Sequence, residues 1–381
     1  MIWQILTGEY PPDRGGVSDY TRCVARGLAA AGDEVHVWAP PSTGLPSEDA
    51  GVVLHRLPDR FGPLTLPRLG AMIARAGGGR LLVQYEPQAF GWRGMNVALC
   101  AWLAARRGRG EPTVMCHEVM FPISREQPWS QNLRGVVNRI MAAIVVRSAA
   151  RIFVSTPYWA EVLRRQVGVV RDAVWLPLPS TIPALHDEAA VLGLRRSLIP
   201  AGGSLLGHFS TYPGTTRRLL AEVLPRILDA RKNLEVVLMG AGSREFRATL
   251  GKLPRELPGR IHATGYLPAA DASAHLSGCD LMLQPYADGA CARRTTLVAA
   301  LAHGRPIVSN RGSATESLWQ QTAALALVDD EAAALADRLL ELLDDPAAQA
   351  RYGASAAALY RTRFALEHTI GPLRAELWGS L

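Results

Sequence analysis

Two adjacent glycines, Gly15 and Gly16, end the loop Gly8-Glu9-Tyr10-Pro11-Pro12-Asp13-Arg14 and open onto a segment with helical periodicity, from about Val17 to Ala31. Lacking side chains, they let a polyanion or a sugar approach bare backbone N–H groups, where the positive end of a helix dipole favours negative charge. The chemistry on offer is phosphate or sugar recognition. A tight strand-to-helix turn would need the same glycines, so both readings stay open. The spacing is not G-x-G-x-x-G, and Pro11 and Pro12 stiffen the approach, so hydride transfer is not the first choice. The net charge of +7 rests on arginine, since Lys232 and Lys252 are the only lysines. Planar guanidinium forks suit diphosphates and anionic head groups.

These residues need elements to hold them. Strand-like runs recur at Ile2–Thr7, Glu34–Ala39, Val52–Leu57, Arg80–Gln84, Thr113–Cys116, Arg151–Ser155 and Ala173–Leu176. Helical patterns separate most of them, at Val17–Ala31, Leu66–Ala76, Met95–Arg106, Leu133–Ala149 and Pro157–Gln166. Apolar strands alternating with amphipathic helices predict a doubly wound parallel sheet. Three prolines, Pro177, Pro179 and Pro183, interrupt the rhythm and mark a hinge. The alternation then resumes, with strands at Ser204–Phe209, Leu234–Met239, Arg260–Thr264, Leu281–Gln284, Pro306–Ser309 and Ala324–Val328. Helices are expected at Thr216–Ala230, Ser243–Leu250, Asp271–Leu276, Thr295–His303, Ala314–Trp319 and Glu331–Leu343. The expected domains are residues 1–180 and 190–366, with a terminal segment, 367–381, packing back on the first. Such sheets bind ligands at the carboxyl ends of their strands.

Composition narrows the class. At 381 residues and 48% hydrophobic, the chain can build two cores. No secretory signal opens it, and Ile140–Val146, bracketed by Arg139 and Arg147, is too short to span a bilayer. Cys23, Cys100, Cys116, Cys279 and Cys291 are odd in number and scattered, which disfavours a disulfide framework or a zinc site and fits a cytoplasmic protein. Arg134, Arg139, Arg147 and Arg151 form a basic stripe that can rest weakly on the inner face of a membrane, although a solvated helix face is the simpler reading. No nucleic-acid module accompanies the charge.

The opening TGEYPPDRGGVSDYTRCVARGLAAAGDEVHVWAP resembles the start of the family 4 (group 1) retaining glycosyltransferases. The runs VVLMGAGS, RIHATGYLP, CDLMLQPYADG, LVAALAHGRPIVSN and RGSATESL follow the same family's order. The resemblance implies a GT-B fold: two facing Rossmann-like domains with an interdomain cleft, the donor mainly on the second and the acceptor mainly on the first. It implies sugar transfer from a nucleotide-diphosphate donor to a glycan, lipid-linked or small-molecule acceptor hydroxyl, with no metal and no cofactor beyond the donor substrate.

Negative charge grows on the departing diphosphate, so the chain must supply groups that neutralise it. The family's usual Arg and Lys after the first donor-domain strand are replaced by His208 and Pro213; Thr211, Thr215, Thr216 and Arg217 at the following helix start are the substitutes, and Tyr212 is expected beside them at the donor. The family's paired glutamates fall at Cys291 and Ala299, but Arg293, Arg294, Thr295 and Thr296 open a helix able to bind phosphate oxygens, and Glu316 matches a later family glutamate. With Gly15 and Gly16 these are the expected donor-binding residues. In the first domain, His117 in Cys116-His117-Glu118 resembles the family's histidine near the transferred sugar, and is the catalytic candidate. Glu86, Gln88 and Glu118 are expected on the acceptor side. The missing Lys and Glu leave open an alternative, a non-catalytic nucleotide-sugar or glycan-binding protein of the same fold. A nucleotide-sugar epimerase would need acid and base carboxylates whose spacing here is unpersuasive.

Overall fold

The computed structural model describes residues 1–44, 49–108, 110–168, 172–200, 202–250 and 257–375. The chain divides into two compact units: Met1–Leu178 together with Leu366–Leu381, and Pro179–Ala365.

The first unit holds a seven-stranded parallel sheet ordered β3-β2-β1-β4-β5-β6-β7, with β1 Ile2–Thr7, β2 Glu34–Ala39, β3 Val52–Arg56, β4 Arg80–Tyr85, β5 Thr113–Cys116, β6 Arg151–Val154 and β7 Ala173–Trp175. Successive side chains point to opposite faces, and both faces are apolar. Leu81, Val83, Val114, Cys116, Ile152 and Val154 enter one core, while Leu82, Met115 and Phe153 enter the other. The buried polar Gln4 is paired: its amide donates to the Ala76 and Gly78 carbonyls, and its oxygen accepts from the Trp38 indole at 2.7 Å.

The second unit holds a six-stranded parallel sheet ordered β10-β9-β8-β11-β12-β13, with β8 Ser204–Phe209, β9 Leu234–Met239, β10 Ile261–Gly265, β11 Leu281–Leu283, β12 Ile307–Asn310 and β13 Ala326–Val328. Its main core gathers Leu206, Val236, Leu238, Leu281, Leu283 and Val308 with Leu220, Leu224, Ile227 and Leu335 from the helices. In each sheet the strand order reverses beside one strand, at β1/β4 and at β8/β11. Loops at the carboxyl ends diverge there and leave room for a ligand.

All thirteen strands fall where periodicity places them, to within two residues at either end. Two helices do not. The Ala314–Trp319 expectation is corrected: the helix is Leu318–Thr322, because Ala314 N–H donates to the Asp288 carbonyl and Thr315 Oγ1 accepts from Gly312 N–H. Those bonds tie 312–317 to a neighbouring loop instead of to a helical turn. The Glu188–Leu198 helix, capped by the Asp187 side chain, is absent from the sequence reading; none of its residues is fully buried, and its apolar Val191, Leu194 and Leu198 are half-buried.

The Glu367–Arg374 helix lies on the Gly16–Ala30 helix, where Gly27 leaves space for Leu366 and Ile370. Thr369 Oγ1 donates to the Pro177 carbonyl at 3.1 Å, and Arg80 Nη1 reaches the Arg374 carbonyl at 3.0 Å. Positions 376–381 of the expected 367–381 segment lie outside the described residues. Leu373 is 2% exposed in the core under this helix. Leu373→Ala is therefore expected to cost about 2–4 kcal/mol of first-unit stability, read by urea denaturation; a loss too small to measure would show that the helix is not integral to that core.

Candidate functional site

At the carboxyl end of β1 the chain supplies its own anion to the glycine loop. The Glu9 carboxylate accepts from Ser18 N–H at 2.9 Å, and a Cβ at Gly15 would collide with it. The N-terminus of the Gly16–Ala30 helix is thus filled from within, as the dipole favours. This corrects the expectation that Gly15 and Gly16 offer that helix start to a donor diphosphate. The glycine at 15 admits a carboxylate, and only Gly16 faces open space. Burial pushes the Glu9 carboxyl up, opposed by the N–H bonds of Ser18 and Val17 and reinforced by Asp19 and Asp13.

β4 and β5 deliver the next groups. His117 is 6% exposed; its Nε2 lies 2.8 Å from Gln84 Oε1 and its ring stands edge-on to Tyr20, with centroids 4.8 Å apart. Burial pushes the imidazole down to about 3, so the ring is neutral and Nε2–H donates to Gln84. A desolvated, neutral ring acts through hydrogen bonds and not as a cation. Glu86, Gln88 and Glu118, expected together, do line one small cavity, with Phe121 and Asn138. Burial, with the charges of Glu9 and Glu118, pushes the Glu86 carboxyl up to about 7.

In the second unit the loop after β8 carries Thr211 and Tyr212. Thr211 is exposed, and its carbonyl lies close to Gly242. Tyr212 adopts φ +58°, and its ring is buried, stacked on Phe246 and donating from its hydroxyl to the His208 carbonyl. Its expected contact with a donor is therefore corrected, because the side chain belongs to the core and fixes the loop. Its carbonyl accepts from Arg217 Nε at 2.7 Å, and Arg217 Nη2 lies beside Gly242. His208 is 1% exposed, and its Nδ1–H donates to the Leu283 carbonyl. The place of the family's arginine is thus held by a neutral core residue.

After β11 the structure brings Arg293, Arg294, Thr295 and Thr296 together at a helix start, the helix being Thr295–Ala302. Arg293 pairs with Asp288 at 2.7 Å and Arg294 pairs with the other oxygen of the same carboxylate. Burial works to raise Asp288, but the two guanidiniums outweigh it and hold the carboxyl below its usual range. Arg294 also lies over the Tyr286 ring at 5.0 Å, and Tyr286 Oη lies 3.2 Å from Thr296 Oγ1. Glu316 accepts from Ala292 N–H at 3.0 Å and from the Trp319 indole at 2.7 Å, bracing the loop before the arginines. Sequence reasoning missed the grip of Asp288 on both arginines, and it missed Glu9 and Asn138. An acid a few residues ahead of a helix start was the available signal for Glu9.

Two family models match: Glycosyltransferase Family 4 over residues 14–176 and Glycosyl transferases group 1 over residues 205–345. The chain is 26% identical over 394 aligned residues to the D-inositol 3-phosphate glycosyltransferase of Arthrobacter sp. (strain FB24), covering 94% of this chain and 88% of that protein. Among solved structures it resembles sucrose-phosphate synthase from Thermosynechococcus elongatus, with TM-score 0.71, 18% identity and coverage of 98% and 97% of the two chains. It also resembles Anabaena HepE in complex with UDP and glucose, with TM-score 0.67, 16% identity and coverage of 98% and 97%. With two parallel-sheet units, each matched by its own family model, the chain belongs to the group 1, family 4 glycosyltransferases of GT-B fold.

Proposed function

We propose that this glycosyltransferase uses a nucleoside-diphosphate sugar and transfers the sugar with retention, without a metal. The carrying observation is that the helices following the neighbouring strands β8 and β11 begin with Arg217 on one and with Arg294 and Thr296 on the other, groups that can take phosphate oxygens. The binding of UDP by the Anabaena neighbour supports a nucleoside diphosphate as the donor group. As the bond from the sugar to the diphosphate breaks, the acceptor oxygen bonds to the same face of the sugar. The acceptor proton passes to the departing phosphate oxygen. His117, neutral and with its Nε2–H held by Gln84, offers the sugar Nδ1 as a hydrogen-bond acceptor rather than transferring a charge. The acceptor is a hydroxyl of a glycan, a lipid-linked sugar or a small molecule, the last in keeping with the inositol-phosphate glycosyltransferase it resembles.

The Trp129–Arg147 helix bears on its location. Trp129, Leu133, Val136 and Ile140, spaced by four, three and four residues, share one exposed face, and Trp129 is 77% exposed. The helix has no acidic residue and carries Arg134, Arg139 and Arg147. Among the described residues no helix is long and apolar enough to cross a membrane. An apolar face beside basic charge fits an anionic lipid surface, and we propose peripheral contact at the cytoplasmic face through this helix.

Arg294→Ala is expected to weaken nucleoside-diphosphate binding roughly 5- to 30-fold, whereas His117→Ala lowers kcat roughly 10- to 100-fold with nucleotide affinity unchanged, both with EDTA present. Titration calorimetry and a transfer assay check this, and equal, negligible effects would remove both assignments. Co-sedimentation with phosphatidylglycerol vesicles, but not with pure phosphatidylcholine, is expected for the native chain and is lost in Trp129→Ser/Ile140→Ser. For Glu86, the folded state keeps its proton to about pH 7, whereas an unfolded glutamate releases it near ~4.3. The folded state binds more protons in that window, so stability present below it is lost as pH rises through it. Glu86→Gln should gain about 1–3 kcal/mol relative to the native chain between pH 4.5 and pH 8; a pH-independent difference in urea denaturation would contradict the assignment.

A further inference from the structure

The Thr65–Arg75, Val97–Ala104 and Trp129–Arg147 helices lie side by side on one face of the first sheet, where Leu66, Leu99 and Met141 enter the same core. Each follows a strand of a parallel sheet, so all three begin at the carboxyl end, the end that carries Glu86 and His117. At every one of these beginnings a large apolar side chain faces solvent. Leu64, just before the first helix, is 84% exposed, and Trp92, in the loop before the second, is 59% exposed. Val97, Ile123 and Trp129 are exposed at the second and third.

The loops hold these side chains out. Phe61, Trp92 and Arg93 adopt φ of +55°, +53° and +54°, the left-handed region that a bulky residue enters only when its surroundings enforce it. Buried Asn96 supplies the enforcement: its Nδ2 reaches the Arg60, Phe61 and Phe90 carbonyls at 3.2, 3.1 and 3.0 Å, and its Oδ1 caps the second helix through Leu99 N–H at 3.0 Å. Asn138 fixes the end of the same loop, donating to the Gly94 carbonyl at 2.6 Å. Across the third loop, Ser124 N–H donates to Asn132 Oδ1 at 3.1 Å and Asn132 Nδ2 donates back to the Ser124 carbonyl at 2.9 Å. A loop braced in this way cannot fold its tryptophan back onto the core.

Charge among these side chains is mostly positive. Arg60, Arg93 and Arg125 are exposed in the three loops, and Arg134 and Arg139 follow on the third helix. Against them stand the exposed Glu126 and Asp59, whose carboxylate is tied to Gly62 N–H and the Thr65 hydroxyl. Tryptophan and leucine interleaved with arginine suit the boundary between anionic headgroups and acyl chains.

We infer that the amino ends of these three helices form a rim that inserts into the headgroup boundary of an anionic bilayer, with Leu64 and Trp92 as anchors. The membrane then lies against the end of the sheet that carries the candidate acceptor residues. The inference rests on the proposed peripheral contact and extends it from one helix face to the loops around the site.

The test is co-sedimentation of the full chain with phosphatidylglycerol vesicles, using Leu64→Ser/Trp92→Ser, which leaves the Trp129–Arg147 helix intact. Partitioning is expected to fall roughly tenfold or more in this variant, once shown to melt cooperatively, and to stay within about threefold of native in Leu64→Ile/Trp92→Phe. Vesicles carrying brominated acyl chains should quench the fluorescence of the native chain more than that of Trp92→Phe, a readout that does not need the serine variant to fold. Equal quenching, or a loss as large with isoleucine and phenylalanine as with serine, overturns the inference. Unchanged partitioning of the serine variant, where Trp129→Ser/Ile140→Ser abolishes it, sinks the rim and leaves the helix contact standing; a native chain that does not sediment at all sinks both. A native dimer in solution that Leu64→Ser/Trp92→Ser dissociates also overturns the inference, because a second copy is then what covers the rim.

Discussion

Burial of both faces of each parallel sheet is the constraint on which the rest depends. Helices cover the strands on either side, so side chains along their length are apolar or internally paired, as Gln4 is with Trp38. Polar chemistry is left to the strand ends and the loops that follow them. The switch points at β1/β4 and β8/β11 then decide which loops have room to gather. Glu9, Glu86 and His117 follow three strands of the first sheet, and Thr211, Arg217, Arg294 and Glu316 follow three strands of the second.

Within those loops, internal carboxylates hold most of the groups a ligand would address. Glu9 caps a helix, Asp288 clamps two guanidiniums, and Glu316 ties down the loop ahead of them. Each pairing offsets the cost of burying charge and fixes a loop in one geometry. Arg293 and Arg294 are thereby held in one orientation by Asp288, and preoriented charge is the condition under which electrostatic stabilisation is most effective.

The fold was legible because strand burial leaves a period-2 or continuous apolar run, and every strand carries one. Helices were legible where they bury a stripe fully; Glu188–Leu198, whose apolar residues are at most half-buried, was not read. The site was legible in part. Glu86, Gln88 and Glu118 share a cavity, and Arg293, Arg294, Thr295 and Thr296 share a helix start, because each set is local to one loop. What sequence could not show was direction: whether Gly15 received a ligand or Glu9, or whether the Tyr212 ring faced outward or into the core. Those outcomes turn on contacts with residues distant in the fold, such as Phe246 against Tyr212.

The way the chain returns to its first unit sets an order of biogenesis. Pro179–Ala365 is contiguous, so that unit has every strand and helix it needs once it has left the ribosome. The other unit must wait for Leu366 and Leu373, which cover an apolar patch on the Gly16–Ala30 helix. Until translation reaches them, the half made first is the half left unfinished, and its uncovered surface is where a chaperone would be needed.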